Sequence, residues 1–473
     1  MGYAHTMKSR RHIARLMAAT VLVVGAGVVT TPGGVSLVHA AGLEGGGEFH
    51  PLTPVRIYDS RPISPINEPS PGAKPLSAPA PATFDIGLLG LGGIPVEAAN
   101  VLAVVVNITV TEPGAVGYLE AYGKGAQPPV RTSIVNFSPN QTVPNSAIVR
   151  PGQDGKLTIG LFGQSGTAHV VVDVFGWFST SAYTQGDGAR LIPTTPSRVL
   201  DTRDGTNRSP SGPLGPKESM ELHILGVDGV NPPVTDVVPN SAKVTGVLLN
   251  VVGLTTEPGG TNTYLSVFPD ALLPGQDPTT SNLNLSPNII KANLVFVPVG
   301  ADGKVRLFNN QGLTHVVADV VGYLLSGEDP LTRKGRVVPL SSPYRTFDTR
   351  ESQWGGVALG PGQAEDWSFS AFAGSVFIGP DAVGNQLAVI GNLTSASVTR
   401  QYASVPVQSF LTAYPANGGR PLSSNLNTAE GPAIPNMAIL KYGADATVRV
   451  YNLFGYAHYL FDASAVVLDN LPA

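Results

Sequence analysis

Pro196 to Arg203, PSRVLDTR, is an octad that the chain writes three times. The pattern P-x-R-x-x-D-[ST]-R also reads PVRIYDSR at Pro54 to Arg61 and PYRTFDTR at Pro343 to Arg350. Arg56 and Arg198 lie 142 positions apart, and Arg198 and Arg345 lie 147 apart. One module is therefore repeated in tandem, and the octad opens each copy.

Working outward from the octad, further landmarks follow in a fixed order. An apolar run ends at Asn107, Asn250 and Asn392. An aromatic strand then carries Tyr118, Tyr264 or Phe410. Two more asparagines follow, Asn136, Asn284 and Asn427, then Asn145, Asn293 and Asn436. The last strand reads HVVVDVFGW from His169, HVVADVVGY from His315 and HYLFDASAV from His458.

The apolar and β-branched runs are five to eight residues long and bounded by Gly, Pro and Asn, which predicts strands. Continuous apolar stretches such as Val101 to Val106 suit strands buried on both faces. Asp154-Gly155 and Asp302-Gly303 stand between such runs and predict type I′ hairpin turns, because Gly takes φ > 0 without a Cβ clash. No stretch after the N-terminal region has helical periodicity. The expected fold is all-β: three tandem β-sandwich or barrel-like modules of roughly eight strands each. The expected boundaries are 41–180, 181–330 and 331–473, after a signal peptide at 1–40. Residues 41–48 read as a flexible lead, and Ile63 to Ala82, dense in Pro and Ser, as an irregular surface loop. The joins Ser179–Arg190 and Ser326–Arg336 are short, so the modules should touch.

Composition agrees with this reading. The 473 residues suit about three cores at ~150 residues each. The 55 glycines and 42 prolines fit many turns, and only 13% of residues are charged. The chain has no cysteine, which excludes thiol nucleophiles and thiolate metal sites. Lys8, Arg10, Arg11 and Arg15 form a basic region before the apolar run Leu16 to Val29, and Val38-His39-Ala40 offers a cleavage site, as in an export signal. Ser9-Arg10-Arg11-His12-Ile13 leaves a twin-arginine route open. Without residues 1–40 the chain has 25 Lys and Arg against 33 Asp and Glu, a net charge of −8. That balance does not suit nucleic acid or an anionic membrane. No apolar run of span length follows residue 40.

Two sets of residues could carry chemistry. The octads supply Arg56, Asp59 and Arg61; Arg198, Asp201 and Arg203; and Arg345, Asp348 and Arg350. These could form a bidentate arginine site for a carboxylate, sulfate or phosphate. The favoured reading is an internal Arg–Asp network that clamps the first strand, because unpaired burial of charge is costly. The closing strands supply His169 and Asp173, His315 and Asp319, and His458 and Asp462. Their i, i+4 spacing places each pair on one face of a strand. A hydrolase would need a nucleophile beside them, and Gly163-Gln164-Ser165-Gly166 is not a nucleophile elbow. The favoured reading is a satisfied structural pair, with the Asp accepting from backbone or from an octad arginine. The asparagines suit strand ends and turns. Tyr118, Tyr264, Trp177 and Tyr323 could stack on a sugar, but core packing is the expected role. No phosphate loop, metal signature or basic patch is present, so neither a metal nor a cofactor is expected.

Taken together, the octad and the closing motif resemble a β-rich repeat of secreted actinobacterial proteins. Those repeats begin P-x-R-x-x-D-[ST]-R and end H-V-x-x-D-V-x-G-[FYW]. The resemblance spans nearly all of the chain after residue 40. The third copy departs: Ala465 stands where Gly176 and Gly322 do, and Val466 replaces Trp177 or Tyr323. The resemblance implies a non-catalytic extracellular module and carries no activity with it. The expected function is that of a secreted, non-enzymatic protein at the cell envelope, structural or adhesive, with cell-wall glycan or a surface protein as candidate partner. An envelope hydrolase using the repeated His and Asp is the alternative, and self-assembly is a third.

Overall fold

A computed structural model describes residues 11–13 and, with gaps, 45–470; the larger gaps are 63–74, 79–81, 127–131, 257–259, 329–331, 374–384 and 401–407. The expected cleavage site, the apolar run before it and most of the Pro/Ser tract lie outside the described residues. The strand Arg11–Ile13, in the basic region of the expected signal, adds in parallel to Ala364–Ser368.

The chain is all-β, and its strands fall into sandwiches of two sheets rather than barrels. The first inner sheet runs, in spatial order, Phe49–Asp59, Thr167–Ser179, Val101–Thr111 and Val143–Val149. Opposite it lie Ala82–Gly87, Lys156–Gly163, Gly117–Gly123 and Val135–Phe137. The next stretch repeats the arrangement. Its inner sheet is Ala189–Asp201, Thr314–Ser326, Val244–Thr255 and Ile290–Pro298. Its outer sheet is Glu218–His223, Lys304–Asn309, Thr263–Phe268 and Leu283–Leu285. The last stretch has Val337–Asp348, Tyr456–Leu468, Gln386–Thr399 and Ile434–Lys441 inside. Outside it has Ala364–Ser368, Thr447–Asn452, Gln408–Pro415 and Leu426–Ala429. Numbered along the chain within each unit, the inner sheet reads 1-8-3-6 and the outer 2-7-4-5, all antiparallel. That is the strand order of a jelly roll, two sheets of four built from Greek keys.

Alternation along the strands builds two kinds of core. One face of the third strand, with Val104 and Val106, packs into the sandwich beneath it with Leu119, Val135 and Leu157. The other face, with Ala103 and Val105, packs into a separate cluster drawn from all three units. Phe49, Phe175, Leu248, Phe296, Ile390 and Ile439 belong to that central cluster. Phe49 lies 5.0 Å from Phe178 and 5.5 Å from Phe296, ring centre to ring centre. Every residue of Val101–Thr111 is buried because the strand stands between two cores.

The described residues of the expected lead and linkers are tied down. Gly47 exchanges two backbone hydrogen bonds with Val337, at 2.8 and 2.9 Å, and Phe49 pairs with Ala189. Glu48, Arg190 and Arg336 each stand immediately before a residue of the central core, Phe49, Leu191 and Val337. Arg190 Nε donates to Glu48 Oε1 at 2.8 Å, and Arg336 Nη2 donates to the same oxygen at 3.3 Å. Arg190, 1% exposed, also donates to the carbonyls of Thr332 and Lys334.

The two Asp-Gly turns differ from expectation. Gly155 and Gly303 do take φ of +69° and +77°. However, Val143–Val149 lies in the inner sheet and Lys156–Gly163 in the outer, so the turn rounds a corner between sheets instead of closing a hairpin. A hairpin and a sandwich corner use the same turn residues, and only the strand pairing distinguishes them.

Candidate functional site

The octad builds the same cluster in each unit. In the middle unit, Arg198 Nε donates to Asp319 Oδ1 at 2.9 Å and Nη1 to Asp201 Oδ2 at 3.1 Å. Arg203 closes a ring on Asp201, with Nε to Oδ1 at 2.8 Å, Nη2 to Oδ2 at 2.6 Å and its backbone N–H to Oδ1 at 3.1 Å. In the first unit, Arg56 Nε donates to Asp173 Oδ1 at 2.9 Å, and Arg61 grips Asp59 at 2.9 and 2.6 Å. In the third, Arg345 donates to Asp462 at 2.5 and 3.1 Å and to Asp348 at 2.6 Å, while Arg350 grips Asp348 at 2.8 and 2.5 Å.

All six carboxylates are at most 2% exposed. Burial pushes the Asp201 carboxyl up, yet the side chain and backbone N–H of Arg203 hold it below its ordinary value, and Asp59 and Asp348 behave alike. For Asp173, Asp319 and Asp462 burial prevails over the arginine, and the carboxyl is raised. An anion arriving at the octad would have to displace a bidentate carboxylate, so the arginines are spent within the protein.

The histidines belong to a neighbouring but separate contact. His169 Nδ1 lies 3.0 Å from Ser60 Oγ, His315 Nδ1 2.9 Å from Thr202 Oγ1, and His458 Nδ1 3.2 Å from Thr349 Oγ1. Each hydroxyl also accepts the backbone N–H of the residue after the histidine: Val170, Val316 and Tyr459. The spacing places His and Asp on one strand face, but the structure gives them different partners, hydroxyl for one and guanidinium for the other. A serine-hydrolase arrangement would have a carboxylate orienting the imidazole and a hydroxyl open to substrate. Here Ser60, Thr202 and Thr349 are 1%, 0% and 1% exposed. For His315, burial and then the charge of Arg203 lower the pKa, which favours neutral imidazole.

The asparagines are the functional residues that the sequence reading misplaced. The first and third of each set do not cap turns; they lie buried within strands and join one unit to the next. Asn107 accepts from Asn293 Nδ2 at 3.0 Å and donates to the Ser281 carbonyl at 3.1 Å. Asn250 accepts from Asn436 Nδ2 at 2.9 Å and donates to the Ser424 carbonyl at 2.5 Å. Asn392 accepts from Asn145 Nδ2 at 3.0 Å and donates to the Ser133 carbonyl at 2.5 Å. First joins second, second joins third, and third joins first, so the seams close a ring. The octad cluster borders the same seams: Arg198 Nη2 donates to the Leu422 carbonyl at 3.3 Å. The available signal was position, since V-V-V-N-I-T-V at Val104 to Val110 has no turn residue beside its Asn.

The aromatics divide between core and surface. Trp177 is 3% exposed in the core of the first unit. Tyr118 and Tyr264, expected in cores, sit half-buried on the outward faces of their sheets, 5.1 Å from Phe162 and 6.1 Å from Phe308. Strand alternation causes this, because Leu119 and Leu265 take the inward positions. Among the described residues no three His, Asp or Glu are grouped to hold a metal ion. Among them also, no helix is long and apolar enough to cross a membrane.

Comparisons with known proteins add little to this geometry. No protein-family model matches the chain, and no curated protein matches it. The solved structures that align along most of its length include two viral ones. One belongs to work on a triple jelly roll fold and turret assembly in an archaeal virus; it covers 88% of this chain and 91% of its own, at 10% identity and a TM-score of 0.15. The other comes from Sulfolobus Turreted Icosahedral Virus and covers 84% and 90%, also at 10% identity and a TM-score of 0.15. At that score neither carries any argument about this chain.

Proposed function

We propose that this chain is a secreted, non-enzymatic protein with a structural or adhesive role at the cell envelope. The observation that supports the reading most is where the repeated polar residues go. Arg56, Arg198 and Arg345 bind Asp173, Asp319 and Asp462, and the histidines bind buried octad hydroxyls. The residues that would have to turn over a substrate thus hold strands together. The basic region before Leu16 to Val29 supports export, and the absence of cysteine is compatible with an oxidising exterior. Cell-wall glycan or a surface protein is the proposed partner.

The test is fractionation of cells expressing the full chain, followed by pull-down of the mature protein on purified cell wall. Recovery of a protein shortened after Ala40 from medium or wall supports the reading. Full-length protein retained in the cytosol overturns it. Glycan binding is dropped if no wall or glycan preparation retains the protein. Hydrolysis is tested with His315→Ala: a folded protein with lost turnover on envelope substrates would replace this reading with an enzymatic one.

A further inference from the structure

The three seams are not equal, and the difference leaves a cavity. In each closing strand one residue bulges out of register beside the third strand: Phe175, Val321 and Ser464. A bulge re-aims the side chain it carries. Phe175 and Val321 are 0% and 2% exposed and fill the central core. Ser464 is too short to do so and reaches solvent instead. At that place, between the first and third units, lies a cavity of about 40 Å³ lined by Ile148, Leu340, Met437 and Ser464. Roughly 10–15 Å³ of such space holds one water, so the enclosed part has room for a few heavy atoms.

Arg150 lines the same cavity. Among the described residues its guanidinium has no hydrogen bond or ion pair, whereas the octad arginines are all engaged. Arg150 is partly buried, and burial lowers its pKa. The other copies have Pro298 and Lys441 at this position against the third strand. Asp462 also lines the cavity, with its carboxylate held by Arg345. A slot that sets Ile148, Leu340 and Met437 beside the hydroxyls of Ser341 and Ser342 and one unmatched cation suits a small anion with a short hydrocarbon tail.

We propose that the seam between the first and third units binds a short-chain carboxylate, with the carboxylate on Arg150 and the tail over Ser464. The first two seams cannot do so, because Phe175 and Val321 occupy the space.

The test is ligand-observed NMR titration of the full chain with sodium butyrate, and with n-butanol as the uncharged control. The expected result is saturable millimolar butyrate binding. Ser464→Phe, which restores the side chain of the first copy, should weaken it at least tenfold, and Ser464→Val by a smaller factor. Arg150→Gln should weaken butyrate about tenfold and leave butanol unchanged, since only the anion uses the charge. Thermal melts establish that each variant is folded, and Ser464→Val is the substitute if Ser464→Phe is not. Failure of the unaltered chain to bind butyrate saturably overturns the proposal. So does a folded Ser464 variant that binds as well as the unaltered chain.

Discussion

At the scale of single residues, Arg198 and Glu120 show how burial decides the role of a charge. Removing Arg198 leaves Asp319, 0% exposed, without its guanidinium. Arg198→Ala should therefore cost about 3–5 kcal/mol in urea denaturation. Arg198→Lys should recover only part of this, because an ammonium cannot span two carboxylates as the planar fork does. His315→Ala should cost less, about 1–2 kcal/mol, since it removes one hydrogen bond from a half-buried ring. A larger loss for His315 than for Arg198 would contradict this order. Glu120, 2% exposed, stands where the other units have Ser266 and Thr412, whose hydroxyls donate to the carbonyls of Thr280 and Ser423. Burial, and then the charge of Asp462, raise its pKa to about 8 from an ordinary 4.5. The folded protein thus binds this proton more tightly than the unfolded chain does. The resulting stability is complete below pH 4.5 and is lost as the pH rises toward 8. Glu120→Gln should flatten that decline and, at a pH above 8, exceed the native chain by on the order of 5 kcal/mol. Parallel stability curves against pH for the two proteins would refute this.

At the scale of elements, the third and sixth strands do more than pair with each other. Each carries an asparagine into a buried seam, where the amide donates and, at Asn107, Asn145, Asn250, Asn293 and Asn392, also accepts. Asn250→Ala leaves the Asn436 amide and the Ser424 carbonyl short of a partner and should cost about 1–3 kcal/mol. A double-mutant cycle with Asn436→Ala should show coupling, because the two side chains share one bond. Strict additivity would place them in independent roles. The strands themselves were legible in the sequence, since Val101 to Thr111 is β-branched and apolar with no breaker. The role of Asn107 was not, because an amide satisfied by another unit looks, in sequence, the same as one satisfied by a nearby turn. The octad was legible as an Arg–Asp cluster because three charged residues repeat in a chain poor in charge. Its place beside a seam was hidden, since the Leu422 carbonyl that Arg198 reaches lies 224 positions away.

At the scale of the molecule, three sandwiches share a core that belongs to none of them. Phe49, Leu248, Phe296, Ile390 and Ile439 are buried in one cluster to which all three units contribute. The middle unit alone, 189–326, would expose Leu248, Phe296, Val321 and Leu324 as one apolar face. It should aggregate or self-associate in light scattering, whereas the full chain should unfold as a single cooperative unit. A soluble, monomeric middle unit with a melting temperature like that of the full chain would show that the central core contributes little. The Glu48 contacts set the same requirement, because one carboxylate from the N-terminal lead meets arginines from both later linkers.

The sequence by itself determined the all-β class, the threefold recurrence of its motifs and the internal pairing chemistry of the octad. These follow from local pattern: alternation, turn residues and charges repeated at a fixed interval. Only the tertiary structure decided that the strands form two-sheet sandwiches in jelly-roll order, that the asparagines bridge units, and that the seam bearing Ser464 remains open. Each of these depends on which distant strands meet. A side chain's burial is set by the partner that arrives across the interface, and its own sequence neighbours do not record that partner.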